Sequence, residues 1–249
     1  MPPSARRLRP AILVLAALLA AIVLGFTHSR SAPLTTLQAQ RQAQLHPPPP
    51  SPWASKRNPL NTYFVKLGWA WTTALLAAAL PVRRRRDRAA TAARYALATL
   101  YWWLLTQWCF GPPLFDRLFV RTGGACHAPE GRPLLHASQH TCRAAGGSWA
   151  GGHDVSGHCF LLLHSALLLA EEVLVPLLRP GRLPPQQQQQ QQPSSPLASL
   201  RRAVVAATAG LVAVWAAMLF FTAKYFHGAE ELASGSVLGV AFWGAVYMW

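Results

Sequence analysis

Apolar residues gather along this chain in six long runs, at about 11–27, 63–82, 92–111, 158–178, 203–222 and 232–249, separated by polar or basic stretches. Each run is near the twenty or so residues that an α-helix needs to cross a hydrocarbon core. The pattern predicts an all-α, polytopic membrane protein with about six transmembrane helices. Lys66 falls in the second run, and Glu171 and Glu172 in the fourth, so neither is a purely lipid-facing helix. We read the first run as an anchor. Basic residues ahead of a hydrophobic stretch also suit a signal peptide, but no clear small-x-small cleavage site follows Gly25-Phe26-Thr27-His28.

Arginine clusters orient these spans. Arg6, Arg7 and Arg9 precede the first, Arg83 to Arg86 with Arg88 separate the second from the third, and Arg179, Arg182, Arg201 and Arg202 bracket the connection from the fourth to the fifth. All fall in alternate loops, so the positive-inside rule makes those loops and the N-terminus cytosolic. Segments 28–62, 112–157 and 223–231 then lie on the opposite, lumenal side. Residues 1–62 form an N-terminal anchor and a Pro/Gln-rich lumenal linker containing Pro47–Pro50. Residues 63–249 form the membrane domain, interrupted by a low-complexity cytosolic loop at about 179–202 that holds Gln186–Gln192.

The formal net charge of +15 would on its own suggest a nucleic-acid binder. With 52% of residues hydrophobic and the basic clusters at the ends of apolar runs, orientation and adhesion to an anionic cytosolic leaflet account for the excess instead. No nucleic-acid partner is expected.

The segment from about 112 to 157 has the makings of a compact lumenal cap. In an oxidising lumen Cys126 and Cys142 can pair, closing a short loop worth about 3 kcal/mol in the chain-entropy model. His127, His136, His140 and His153 lie nearby, at spacings that match no standard zinc signature. The disulfide is therefore preferred and no metal is assigned. Cys109 and Cys159, within or beside spans, read as small buried thiols.

Two short stretches carry the candidate chemistry: Asp154-Val155-Ser156-Gly157-His158, and Lys224-Tyr225-Phe226-His227-Gly228-Ala229-Glu230-Glu231. Each sits against an apolar run, where a histidine could hold a phosphate ester in water while a lipid tail stays in the bilayer. The loop assignment places His158 and His227 on one face. A lone interfacial histidine is commonly only a hydrogen-bonding residue at a helix end; shared sidedness favours a pair. Glu171 and Glu172 would lie about 20 Å below His158 at 1.5 Å per residue, too deep for the same phosphate, and suit helix packing or a lipid headgroup.

Asn61-Thr62-Tyr63-Phe64-Val65-Lys66 with Gly68-Trp69-Ala70-Trp71-Thr72-Thr73 resembles the second span of the fat storage-inducing transmembrane proteins, and more closely their fungal branch. Cys142 through Gly147-Ser148-Trp149, Gly152 through Leu162, Glu171-Glu172, and Tyr225-Phe226-His227 with Ser234-Gly235 and Trp243 follow that family's order. The resemblance covers roughly 60 to 249. It implies kinship with the membrane lipid-phosphate phosphatases, which use one histidine in a Ser-Gly-His motif and a second followed four residues on by an acid. The matching positions here are Ser156-Gly157-His158 and His227 with Glu231. The resemblance further implies a fatty acyl-CoA diphosphatase at the lumenal face of the endoplasmic reticulum, supporting lipid-droplet formation and phospholipid balance without a cofactor.

Imidazole can attack phosphorus or supply a proton to a leaving oxygen near neutral pH. By analogy with the phosphatases, His227 is the nucleophile, oriented by Glu231 one helical turn later. His158 is the general acid, and Asp154 with the Ser156–Gly157 backbone shapes the phosphate cradle. The phosphatases' basic clamp has no lumenal counterpart, since Arg9-Pro10 is expected in the cytosol. Lys66 and Lys224 are its candidate substitutes, and each could equally be a snorkelling lysine. The alternative from another class is a non-enzymatic scaffold that binds diacylglycerol and triacylglycerol where droplets bud. Trp69, Trp71, Trp102, Trp103 and Trp108 would line lipid contacts under either reading.

Overall fold

The fold comes from a computed structural model, which describes residues 10–30, 51–55, 57–107, 112–127, 133–134, 138–178 and 195–248. The Pro47–Pro50 linker, the glutamine tract, Trp108, Cys109, His136 and the arginines at 6, 7, 9, 179 and 182 lie outside the described residues.

Six helical segments stand where the apolar runs placed them. Helix α1 is Pro10–Arg30. A π-helical turn at Asn61–Val65 leads into α2, Gly68–Ala79, which ends in a 3-10 turn at Leu80–Val82. Helix α3 is Arg85–Thr106. The cap follows, with α4 at Leu114–Arg121, β1 at Ala125–His127, β2 at Pro133–Leu134, α5 at Gln139–Ala144 and β3 at Ser148–Ala150. Helix α6, Gly157–Leu169, continues through a π turn at Ala170–Leu174 into α7, Val175–Leu178. Helix α8 is Pro196–Tyr225, started by Pro196 and by the Ser195 hydroxyl accepting from the Ala198 N–H at 3.1 Å. Helix α9 is Ala229–Tyr247.

Three of these stretches are long and apolar enough to cross a membrane: Pro10–Ser29, Gly157–Leu178 and Pro196–Tyr225. The expected count of six is met by helices but not by six equally apolar spans. The segment Gly68–Val82 is short, α3 opens on arginines and α9 opens on two glutamates. The arginine cluster is also not a loop. Only a brief corner separates α2 from α3, and Arg85, Arg86 and Arg88 occupy the first turn of α3, where arginine is a good helix former and Asp87 offsets its charge. In the same way α8 begins seven residues before the expected 203, taking Arg201 and Arg202 into the helix.

Side-chain bonds fix the direction of each segment. Glu172, on the π turn after α6, accepts from Arg83 at 2.8 Å, Thr91 at 2.7 Å, Arg94 Nε at 2.6 Å and the Tyr247 hydroxyl at 2.8 Å. This gathers the end of α2, the start of α3 and the end of α9 at one end of the bundle. Arg201 Nε donates to the Leu177 carbonyl at 2.8 Å, adding the start of α8. Asn61, His158 and His227 belong to the opposite end, so α2, α6 and α9 run one way and α3 and α8 the other. Helix α1 runs with α8: Ala11 clusters with Leu174 and Trp243, while the His28 ring meets Phe220 edge-on at 6.2 Å.

The stretch Gly157–Leu178 is the axis of the molecule, 72% buried against 22% for Pro10–Ser29 and 33% for Pro196–Tyr225. It is closest to α9. A Cβ at Gly235 would lie 2.5 Å from the Ser156 carbonyl oxygen, and one at Gly239 only 2.8 Å from Leu163 Cβ. The Gly-x-x-x-Gly spacing on α9 thus lets two backbones touch, as small residues do between membrane helices. Trp69 faces this axis rather than lipid, stacked on His164, Tyr95 and Trp102 at 5.3, 5.9 and 5.4 Å.

The cap contains a small antiparallel sheet of order β2-β1-β3 that an all-α reading did not include. Cys126 pairs in register with Trp149 and is joined by a disulfide to Cys142 on α5. Phe119 stacks on Trp149 at 4.5 Å, tying α4 to the sheet.

Candidate active site

The site forms where α6 and α9 begin. Ser156 caps α6, its hydroxyl accepting from the Cys159 N–H at 3.4 Å, and its own N–H donates to the Glu231 carbonyl at 3.1 Å. That bond crosses between the two motifs and brings them together. At Gly157 and Gly228 nothing lies within 4 Å of where a Cβ would be, so space is open beside both helix starts.

His227 Nδ1 donates to Glu231 Oε2 at 3.0 Å, and the Gly228 N–H donates to the same oxygen at 3.0 Å. The four-residue spacing is therefore not a helical turn. His227 precedes the helix, Gly228 is the N-cap, and Glu231 is the third helical residue reaching back over it, as an acid does in a capping box. Burial alone would raise the Glu231 carboxyl, but the bonds from His227 and Gly228 and the charges of His227 and His153 hold it below the usual carboxylate range. The imidazole is 14% and the carboxylate 27% exposed, so water reaches both.

His158 meets a residue that neither motif contains: its Nε2 donates to Asn61 Oδ1 at 2.7 Å. His153 is also drawn in. The Ser234 hydroxyl donates to the Glu231 carbonyl at 3.1 Å, so His153 Nε2 is the donor to Ser234 Oγ at 2.9 Å. The His153 N–H binds Thr122 Oγ1 at 2.8 Å and connects the cap to this network. The sequence singled out His153 as a histidine near cysteines and within a resemblance, and Asn61 only as part of a resemblance, neither with a role at the site.

Asp154 lies near Asp116 of the cap, whose carboxyl is raised by burial and further by the Asp154 charge. Lys224 Nζ lies over the Tyr225 ring, 5.1 Å from its centroid, and Lys66 is exposed just after the π turn. Neither lysine is bonded to His158 or His227 among the described residues. Nor do the described residues contain a group of three or more His, Cys, Asp or Glu able to hold a metal ion.

Fold and site together define a helical membrane protein with a histidine pair at one end of its bundle. The chain belongs to the fat storage-inducing transmembrane protein family, whose model matches residues 49–247. It is 33% identical over 199 residues to acyl-coenzyme A diphosphatase fit1 of Schizosaccharomyces pombe, covering 79% of this chain and 72% of that one. Acyl-coenzyme A diphosphatase FITM2 of Xenopus tropicalis is 31% identical over 83% of this chain and 75% of its own. The Homo sapiens FITM2 is 32% identical over 82% and 74%. No solved structure matches.

Proposed function

We propose that this protein is a fatty acyl-CoA diphosphatase of the endoplasmic reticulum membrane with its site facing the lumen. It hydrolyses the CoA diphosphate to acyl 4′-phosphopantetheine and adenosine 3′,5′-bisphosphate, in support of lipid-droplet biogenesis and phospholipid balance. The observation that carries this reading is the His227–Glu231 pair at 3.0 Å, joined through the Glu231 backbone to the Ser156-Gly157-His158 turn. The diphosphatase names of the relatives supply the substrate class.

With Nδ1 of His227 donating to an ionised Glu231, the lone pair lies on Nε2, which attacks one phosphorus of the diphosphate. The P–O bond to the bridging oxygen breaks, and that oxygen takes a proton from His158. Water then releases the phosphoryl group from His227. The starts of α6 and α9 present backbone N–H groups and positive dipole ends to the open space at Gly157 and Gly228, a favourable seat for an anion. Lys66 and Lys224 are auxiliary charges at its rim. Membrane lipids, including diacylglycerol and triacylglycerol, are the surrounding partners.

The test is hydrolysis of oleoyl-CoA by the purified protein in nanodiscs, with both products read by mass spectrometry. His158→Ala and His227→Ala should each lower turnover by at least about a hundredfold. The double variant should be hardly worse than the more damaged single, because nucleophile and acid act as one unit. Wild-type-like turnover in both single variants would exclude this mechanism and leave the lipid-binding scaffold.

A further inference from the structure

Asn61 stands 97 residues before His158 in the chain, yet their side chains meet at 2.7 Å. It is only 6% exposed, although Tyr63, two residues on, is 61% exposed. The turn that carries it is wound wide, with the Lys66 N–H reaching the Asn61 carbonyl at 2.9 Å. Turns of this π type occur mostly as single insertions and often at functional sites. The turn has a built support. The Tyr63 carbonyl receives the Trp71 indole N–H at 2.8 Å, and the Phe64 carbonyl receives the Trp215 indole N–H at 3.0 Å. Two tryptophans, one of them the fully buried Trp215 of α8, thus hold the backbone that aims Asn61 at His158.

We propose that Asn61 is the positioning residue for His158: its amide oxygen fixes the ring for proton donation and the Nε2–H tautomer that remains once His158 has given up its proton. This rests on the role given to His158 above. The two site histidines differ in their partners. Glu231 is a carboxylate that stabilises positive charge on His227 once it bonds to phosphorus. Asn61 is a neutral acceptor, which keeps one proton on Nε2 and turns the Nδ1–H of the imidazolium toward the leaving oxygen without binding the cation so tightly that Nδ1 withholds its proton. Such division of environments separates nucleophile from acid in a site built of like groups.

The experiment uses the full chain in nanodiscs with ¹⁵N-histidine, the His158 signals being identified by their loss in His158→Gln. In the wild type at alkaline pH the ring should show a single Nε2–H tautomer; in Asn61→Ala it should show a mixture. With oleoyl-CoA, Asn61→Ala should lower kcat by about 10- to 100-fold, the loss of a hydrogen bond to a charged group, and leave KM within about twofold, as expected for an interaction used in the transition state. It should cause no further loss in the His158→Ala background. Asn61→Asp, nearly isosteric, should move the alkaline limb of the kcat profile upward by about one unit or more, as a carboxylate beside imidazole does. Lys66, Asp116, His153, Asp154, Lys224, His227, Glu230 and Glu231, the other charged or titratable groups described around the site, are unchanged in these variants. Tautomer populations unaltered by Asn61→Ala would overturn the inference, as would a kcat loss equally large without His158. A wild type that does not cleave acyl-CoA would instead refute the diphosphatase reading, with the ¹⁵N spectra still deciding the pairing.

Discussion

Glu231 supports the site through both halves of the residue. Its carboxylate takes the His227 and Gly228 N–H groups, while its carbonyl takes Ser156 and Ser234. Glu231→Gln keeps the carbonyl bonds and the shape but replaces a charge-assisted bond by a neutral one. A bond of that kind contributes roughly 1.5–3 kcal/mol, so kcat should fall about 10- to 100-fold, less than in either histidine variant. Initial rates on acyl-CoA decide this. The folded Glu231 carboxyl is depressed, so its contribution to stability is present above its unfolded value of about 4.3 and is lost as pH falls through its lower folded value. The Gln variant should lack that component of acid sensitivity in a melting series across pH 3 to 6, a range set by that reference value. The spacing of His227 and Glu231 was visible in the sequence because both lie in one short segment. Its geometry was misread as a helical turn because Gly228, which starts the helix, falls between them.

Between elements, Glu172 plays the corresponding part at the other end of the bundle. Four side chains from α3, α9 and the corner before α3 converge on one carboxylate that is 1% exposed. Glu172→Leu would leave Arg83 and Arg94 facing each other without a counter-charge. Removing one member of a buried ionic cluster costs about 3–5 kcal/mol, and the variant should show that loss in thermal melts in nanodiscs. Hydropathy flagged Glu172 as out of place in an apolar run but could not name its partners, because Arg83, Thr91, Arg94 and Tyr247 reach it only after folding. Asn61 escaped for the same reason, as did the cap strands, which are two or three residues long and present no alternation to read.

Over the whole molecule, the helices alternate in direction, with the histidine site at one end and the Arg83–Glu172 cluster at the other. Arginine counting alone had already put His158 and His227 on one face. Glycosylation tags inserted near 40 and 135 should be modified in cells, and one near 190 should not; modification at 190 would reverse the proposed orientation. The positions of all six helices were legible because burial in lipid or in protein selects the same apolar residues. For that reason hydropathy could not tell the central α6 from the peripheral α1, nor show that Trp69 faces inward.

The contact of Gly235 and Gly239 with Ser156, Phe160 and Leu163 sets the α9 and α6 backbones directly against each other. His158 lies in the first turn of α6 and His227 stands just before the N-cap of α9, so both histidines sit at the mouth of this close-packed pair. Spans commonly answer a thinner or thicker bilayer by tilting, and helices packed this closely are expected to tilt together. The spacing of the two helix starts then follows from backbone contact. Under the proposed mechanism, turnover of acyl-CoA is expected to change little between nanodiscs made of shorter- and longer-chain phospholipids.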